Sequence, residues 1–244
     1  MSIPHTLDDV SLGGVGAASQ SLTTRSPAAR ALYAAGGLSP ATWFELEYRL
    51  RDDAACPCDC PSPCSVLRTW LNAEGPSVVR PGSRVVVVGS GLGDDVAELS
   101  SRGFDVTAFD VCLRAVELAR ARFPELASCF VQADVCDLPA RLRRRFELVV
   151  DVQTLDSIPP GMRKEAAAGI ASLVGAKGIL LTIATARSTA ESLDGVDGPP
   201  WPFTRDELCG MLLSAGLRPL REPDEFQDDA SGSRWLRGIF GRCV

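Results

Sequence analysis

The sequence holds one histidine in 244 residues, His5. Ser-His-Asp hydrolysis, Cys-His proteolysis and multi-histidine metal catalysis therefore lose their central residue. Long apolar runs are also missing, and none reaches the roughly eighteen residues a membrane helix needs. The opening "MSIPHTLDDVSLGG" has neither the basic stretch nor the apolar core of a secretory leader. A soluble, cytoplasmic protein with no membrane partner is expected. Positive charge is scarce as well: 25 Lys and Arg face 31 Asp and Glu, a net charge of −6, with an isoelectric point near 4.9. A phosphate backbone is held mainly by cations, so no nucleic-acid partner is expected. The basic run Arg141, Arg143, Arg144 and Arg145 reads as a solvated turn or helix face. Nine cysteines, an odd number, preclude complete internal pairing and point to reduced thiols or metal ligands.

What is present begins with 45% hydrophobic residues, enough for one substantial core. Residues 1–26 are rich in Ser, Thr and Gly and read as a flexible tail. Ser39-Pro40 starts a helix through "ATWFELEYRLR", with Trp43, Leu46 and Leu50 on its inner side. Ser62-Pro63 starts another, in which Val66, Leu67 and Trp70 face inward. Residues 27–80 thus form a helical cap around "CPCDCPSPC", and residues 81–244 form the main domain. There strand and helix alternate: "VVVV", "DDVAELSSRG", "FDVTAFD", "LRAVELARARF", "SCFVQAD", "FELVVDV", "PPGMRKEAAAGIASLVG", "KGILLTIAT". Thr204 and Glu207 make a capping box for a last helix, and "LRPLRE" with "RWLRGIFGR" forms an antiparallel edge pair. The fold expected is α/β, a Rossmann-like doubly wound sheet of seven strands.

The turn "GSGLGDD" follows the first strand. Its glycines, Gly89, Gly91 and Gly93, run G-x-G-x-G, whereas the dinucleotide fingerprint needs a small residue where Asp94 stands. A pyrophosphate there would meet Asp94 and Asp95 on the helix start, so a ligand without phosphate fits better. S-adenosylmethionine is such a ligand. Asp110, ending the second strand, is placed for ribose hydroxyls, Asp134, after the third, for the adenine amino group, and Asp151, ending the fourth, for the methionine end.

With "VVVVGSGLG", Asp110, "QADVCDLP", "FELVVDVQTLDSIP" and "GAKGILLTIAT", residues about 84–185 resemble the core of a class I S-adenosylmethionine-dependent methyltransferase. The resemblance implies a seven-stranded sheet and a cofactor held by Gly89, Ser90, Gly91, Gly93, Asp110, Val111, Asp134, Val135 and Asp151. "DGPPWPFTRDELCGMLLSAGL" is similar to bacterial small-molecule methyltransferases near the thiopurine and thiol methyltransferase group.

Methyl transfer to a small molecule draws much of its rate from orientation, so a strong base is optional. Candidate catalytic acids are Asp151 and Asp156, with Tyr33 and Tyr48 as further titratable groups. The scarcity of bases favours a thiol acceptor, which ionises near neutrality without help, over a hydroxyl or amine. Asp151 is followed by Val-Gln-Thr, not by the Pro-Pro-aromatic run of nucleic-acid amino-methyltransferases. Trp201 in "GPPWP" and Trp43 and Phe44 in the cap are candidate walls of the acceptor pocket. Cys56, Cys58, Cys60 and Cys64 make a poor zinc pattern, so no metal is expected, although four thiolates could close such a site. The competing readings are a nicotinamide-dependent oxidoreductase and a non-catalytic module that binds S-adenosylmethionine or metal.

Overall fold

The computed structural model describes residues 27–49, 62–194, 196, 198–227 and 233–243. The expected N-terminal tail, Leu50 and Cys56, Cys58 and Cys60 lie outside these. Strands β1 (Arg84–Val88), β2 (Asp105–Asp110), β3 (Phe130–Gln132), β4 (Phe146–Val152) and β5 (Val174–Thr185) are parallel to their neighbours. Strand β8 (Arg234–Arg242) adds antiparallel to β5, and β6 (Leu217–Pro219) and β7 (Asp224–Gln227) add antiparallel to β8. The order is β3-β2-β1-β4-β5-β8-β6.

The described residues thus hold eight strands, one more than the sequence pattern predicts. The expected edge pair is there, but its outer member is interrupted. β6 faces residues 240–242 of β8 and β7 faces residues 234–237, so both run along the same edge with a break at 220–223. "DEFQ" carries no apolar run; β7 pairs with β8, Phe226 packs on the core, and Arg237 adds hydrogen bonds to Asp224 Oδ2 at 2.7 Å and to Glu74 Oε1 at 3.1 Å.

Both faces of the sheet are buried, which explains its β-branched sequences. Side chains alternate across a strand. Val85 and Val87 pack under α3 (Ser65–Ala73), α5 (Asp94–Ser101) and α6 (Leu113–Arg122), through Leu67, Trp70, Leu99 and Val116. Val86 and Val88 pack under α7 (Arg163–Leu173) and α8 (Arg205–Ser214), through Ala167, Ile170, Leu208 and Leu212. Thr204 and Glu207 form the predicted capping box. No described helix is long and apolar enough to cross a membrane.

The N-terminal helices divide their loyalties. α3 begins at Ser65, two residues later than Ser62-Pro63 suggests: Cys64 is its N-cap, with non-helical backbone at ψ 122°, and the Cys64 N–H donates to Asp95 Oδ1 of α5 at 2.8 Å. It is followed by a single turn, α4 (Gly75–Val78). α1 (Pro27–Ala34) and α2 (Pro40–Arg49) pack apart from α3, in other clusters. Ser39 caps α2 as expected, accepting from Thr42 N at 3.1 Å. Its buried residues are Trp43, Glu47 and Tyr48, whereas Leu46 is only partly covered. Two faces of α2 are covered because Trp43 packs with Tyr33 of α1 and Tyr48 packs against Cys112 and Ala115 of α6.

The chain leaves β1 toward β2 and β3, then returns to place β4 on the opposite side of β1. A crevice opens at that switch, beyond the carboxyl ends of β1 and β4. Its far wall, the loop after β3, rests on α7: a Cβ at Gly169 would collide with the carbonyl oxygen of Val135. Gly169→Ala should therefore destabilise the protein by about 1–3 kcal/mol or more, since backbone cannot swing aside. Urea unfolding followed by circular dichroism measures this.

Candidate functional site

The turn after β1 is a succession of left-handed glycines. Gly89, Gly91 and Gly93 have φ of 63°, 50° and 90°, conformations that side chains resist, which is why every second residue is glycine. At Gly89 a Cβ would also collide with Thr154 Oγ1, whose hydroxyl donates to Val88 O at 2.8 Å. The turn after β1 and the turn after β4 are thereby pressed together.

Asp110 holds the turn from the other side. Its Oδ2 accepts from Gly91 N at 3.0 Å and its Oδ1 from Cys112 N at 2.9 Å, so the carboxylate is fixed in plane at the crevice. An open cleft of about 740 Å³ lies beside it. Six predicted cofactor residues line this cleft: Gly89, Gly91, Asp110, Val111, Asp134 and Val135. Asp134 is exposed, and its Oδ1 accepts from Cys136 N at 2.8 Å. Ser90 and Gly93 line a second, more polar cavity of about 410 Å³ on the other side of the turn. There Ser90 Oγ is buried and has no hydrogen-bond partner among the described residues. The cleft also takes Pro40, Phe44 and Tyr48 from α2, spaced four apart and so on one helix face. Glu45 anchors that helix, its Oε1 accepting from Arg114 N at 3.1 Å at the start of α6, where the helix dipole favours an anion.

The acids that open α5 have partners within the protein. Asp94 forms two hydrogen bonds with Arg122, at 2.6 and 3.0 Å. Asp95 accepts from Cys64 N, and its carboxyl is pushed up to about 6, first by burial, against the lowering effect of that hydrogen bond.

Asp151 stands elsewhere than the cleft. It is fully buried; Oδ2 accepts from Thr182 Oγ1 at 2.5 Å and Oδ1 from Thr154 N and Leu155 N at 3.2 and 3.3 Å. The register explains this. Val88 pairs with both Phe109 and Asp151, so Asp151 lies one row deeper in the sheet than Asp110. Burial, with Asp156 nearby, pushes its carboxyl up to about 7 despite the Thr182 hydrogen bond. Asp156 is also fully buried and absent from the cleft wall, its Oδ2 accepting from Thr185 N at 2.7 Å while Oδ1 has no partner among the described residues. Burial raises its carboxyl too, opposed by the Thr185 hydrogen bonds and by Arg163.

Of the three aromatic residues predicted to wall an acceptor pocket, only Phe44 lines the cleft. Trp43 stacks on Tyr33 at 4.6 Å and Trp201 tilts against Tyr33 at 5.6 Å; both tryptophans are buried. Tyr33 OH donates to Ser157 O at 3.0 Å, so the stack props the loop after β4. Trp201 Nε1 donates to Val196 O, and its carbonyl accepts from Arg163, whose guanidinium sits 3.9 Å over the Phe203 ring. Gln153, Thr154, Ser157 and Ile158 line the cleft although sequence reasoning passed over them. The signal was their position immediately after β4, at the strand-order switch. Cys136 lines the cleft as a protonated thiol, burial and Asp134 pushing it up to about 11. Of the four clustered cysteines only Cys64 is described, and it lies on the second cavity.

A carboxyl whose folded value lies above its unfolded value of 3.8 holds its proton longer when folded, so its contribution to stability is complete below about pH 4 and lost by about pH 7. Asp151→Asn keeps the acceptor oxygen for the two N–H groups and offers Thr182 a donor. It should flatten the decline of melting temperature between pH 4 and pH 7, removing on the order of a few kcal/mol of pH dependence. An unchanged slope would refute the assignment.

The family model described as a methyltransferase domain matches residues 85–178. No curated protein matches the chain. Among solved structures it resembles the Burkholderia thailandensis 1,6-didemethyltoxoflavin-N1-methyltransferase with bound 1,6-didemethyltoxoflavin and S-adenosylhomocysteine, at 20% identity over 74% of this chain and 79% of that one, TM-score 0.59. A TehB-like S-adenosylmethionine-dependent methyltransferase from Corynebacterium glutamicum gives 19% identity over 73% and 95%, TM-score 0.54. A structure described as conversion of a disulfide bond into a thioacetal group during echinomycin biosynthesis gives 18% over 84% and 93%, TM-score 0.66. At such identities the likeness is one of fold. Residues 85–178 thus match a methyltransferase domain, and the chain shares the fold of these solved structures.

Proposed function

We propose that this chain transfers a methyl group from S-adenosylmethionine to a small-molecule acceptor. The observation that carries the reading is Asp110, fixed by Gly91 N–H and Cys112 N–H so that its carboxylate borders a cleft walled by the glycine turn and the loops after β3 and β4. Such a carboxylate suits the paired hydroxyls of a ribose. Asp134 and Val135 would take the adenine. The amino-acid end would lie against Gly89, Ser90 and Gly93, where the unpartnered Ser90 hydroxyl suits a polar group and no phosphate has to face Asp94 and Asp95. The solved neighbour with bound S-adenosylhomocysteine supports the same cofactor.

When bound, S-adenosylmethionine supplies a methyl group made electrophilic by its sulfonium. The protein's task is then to hold the acceptor in line and keep water away. Phe44, Tyr48 and Ile158 give the cleft apolar walls for that purpose. Asp151 and Asp156, buried beneath it, serve to shape the loop after β4 rather than to remove a proton from the acceptor. The titratable side chains on the cleft are Asp110, Asp134, Tyr48 and Cys136. With Asp110 committed to two backbone N–H groups and Cys136 protonated, an acceptor that is nucleophilic near neutrality, a thiol first, is favoured over an unactivated hydroxyl.

Isothermal titration should give a Kd for S-adenosylhomocysteine of about 10 μM or tighter. Asp110→Ala should weaken it at least about tenfold, as loss of a charge-assisted pair implies. NAD(H) should not compete. A labelled-methyl screen over thiols, phenols, amines and carboxylates names the acceptor. No binding of S-adenosylhomocysteine, or indifference to Asp110→Ala in a variant that still folds, would overturn the reading.

A further inference from the structure

Gln153 stands apart from its surroundings. Among the described residues only Arg144 and Gln153 combine a side chain with positive φ, each at 55°. Gln153 is the first residue past β4. Its main chain is fully engaged: the N–H donates to Ile183 O at 2.8 Å, and the carbonyl accepts from Ser157 Oγ at 2.6 Å. The side-chain amide, by contrast, makes no hydrogen bond with any described residue. A glycine would meet every backbone requirement at lower cost, so local folding does not explain a glutamine there.

Its place does. Among the described residues only Gly89, Val152 and Gln153 line both cavities, the larger one bounded by Asp110, Asp134 and Val135 and the polar one bounded by Ser90, Gly93 and Asp95. If the adenosyl end of the donor occupies the first and its amino-acid end the second, the sulfur that joins them must cross this shared wall. Gly89 has no side chain and Val152 has no polar atom beyond its backbone. Gln153 therefore supplies the polar side chain at the point where the methyl group is presented. Its amide is uncharged, with one acceptor and two donors, and does not titrate.

Resting on the methyltransferase reading, we propose that Gln153 is a positioning residue whose side-chain amide faces the methyl-bearing sulfur and the incoming acceptor. It follows that the acceptor meets a neutral hydrogen-bonding partner there, not a base.

The test compares affinity for S-adenosylmethionine, which is cationic at sulfur, with affinity for S-adenosylhomocysteine, which is neutral there. Gln153→Glu puts a carboxylate of nearly the same shape on the shared wall. At low salt and pH 7.5 it should shift the ratio of the two Kd values about tenfold toward S-adenosylmethionine, because only one ligand carries the opposing charge. Cys136→Asp, a carboxylate on the first cavity alone, should shift that ratio by less than about threefold. Gln153→Ala should change the proton resonance of a ¹³C-labelled methyl on bound S-adenosylmethionine, and Gln153→Gly should raise the melting temperature by relieving the backbone. If S-adenosylhomocysteine binds but Gln153→Glu leaves the ratio unchanged, the proposal falls and the methyltransferase reading stands. If the wild-type protein binds neither ligand, the methyltransferase reading falls and the proposal goes with it.

Discussion

The site depends on one carboxylate accepting two backbone hydrogen bonds. Asp110 takes the N–H of Gly91 on its left and the N–H of Cys112 on its right, and in doing so joins the turn after β1 to the turn after β2. Ser90 N–H, donating to Phe109 O at 3.0 Å, and Thr154, packed on Gly89, hold the first turn as well. The glycines after β1 are free to adopt many conformations, and a charged acceptor at 3.0 Å selects one of them. Cys112 then caps α6, its Sγ accepting from Ala115 N, while Glu45 from α2 accepts from Arg114 N. One side chain thus sets the cleft floor and, through α6, the position of the helix that walls it.

The other acids in this region work by being buried. Asp151 and Asp156 lie beneath the loop after β4, bonded to Thr182 and Thr185 of β5 and to the loop's own N–H groups. Burial raises both carboxyls, so they are not the strong anions their sequence positions suggest. From above, the same loop is held by Tyr33, which is itself stacked with Trp43 and packed on Trp201. A rigid loop gripped from both sides suits chemistry that relies on orientation more than on proton transfer.

Much of the fold was legible in the sequence because a sheet buried on both faces must be apolar at nearly every position, as Val85 to Val88 and "FELVVDV" are. The glycine turn and Asp110 were legible for a related reason: left-handed backbone and a strand-end acid leave marks in residue type. Depth within the sheet leaves none. Asp110 is the last residue of β2 and Asp151 the last but one of β4, and the register sets one at the crevice and the other a row below it. Nor does an aromatic residue announce its partner. Trp43 and Trp201 are as apolar as Phe44, but Tyr33 lies between the two tryptophans and draws them away from the cleft. β7 has no apolar run to mark it, and the contacts among Arg237, Asp224 and Glu74 that help hold it converge only in three dimensions. Gln153 carries no motif at all; its significance is a backbone angle and a shared wall.

The central claim is that this turn and its carboxylate hold the adenosyl group of a phosphate-free donor. A crystal structure of the protein grown with S-adenosylhomocysteine tests it most directly. The account predicts both ribose hydroxyls within hydrogen-bond distance of Asp110, the adenine beside Asp134 and Val135, and the amino-acid end against Ser90 and Gly93. Density for the ligand away from Asp110, or a ribose that makes no hydrogen bond to it, would contradict the account.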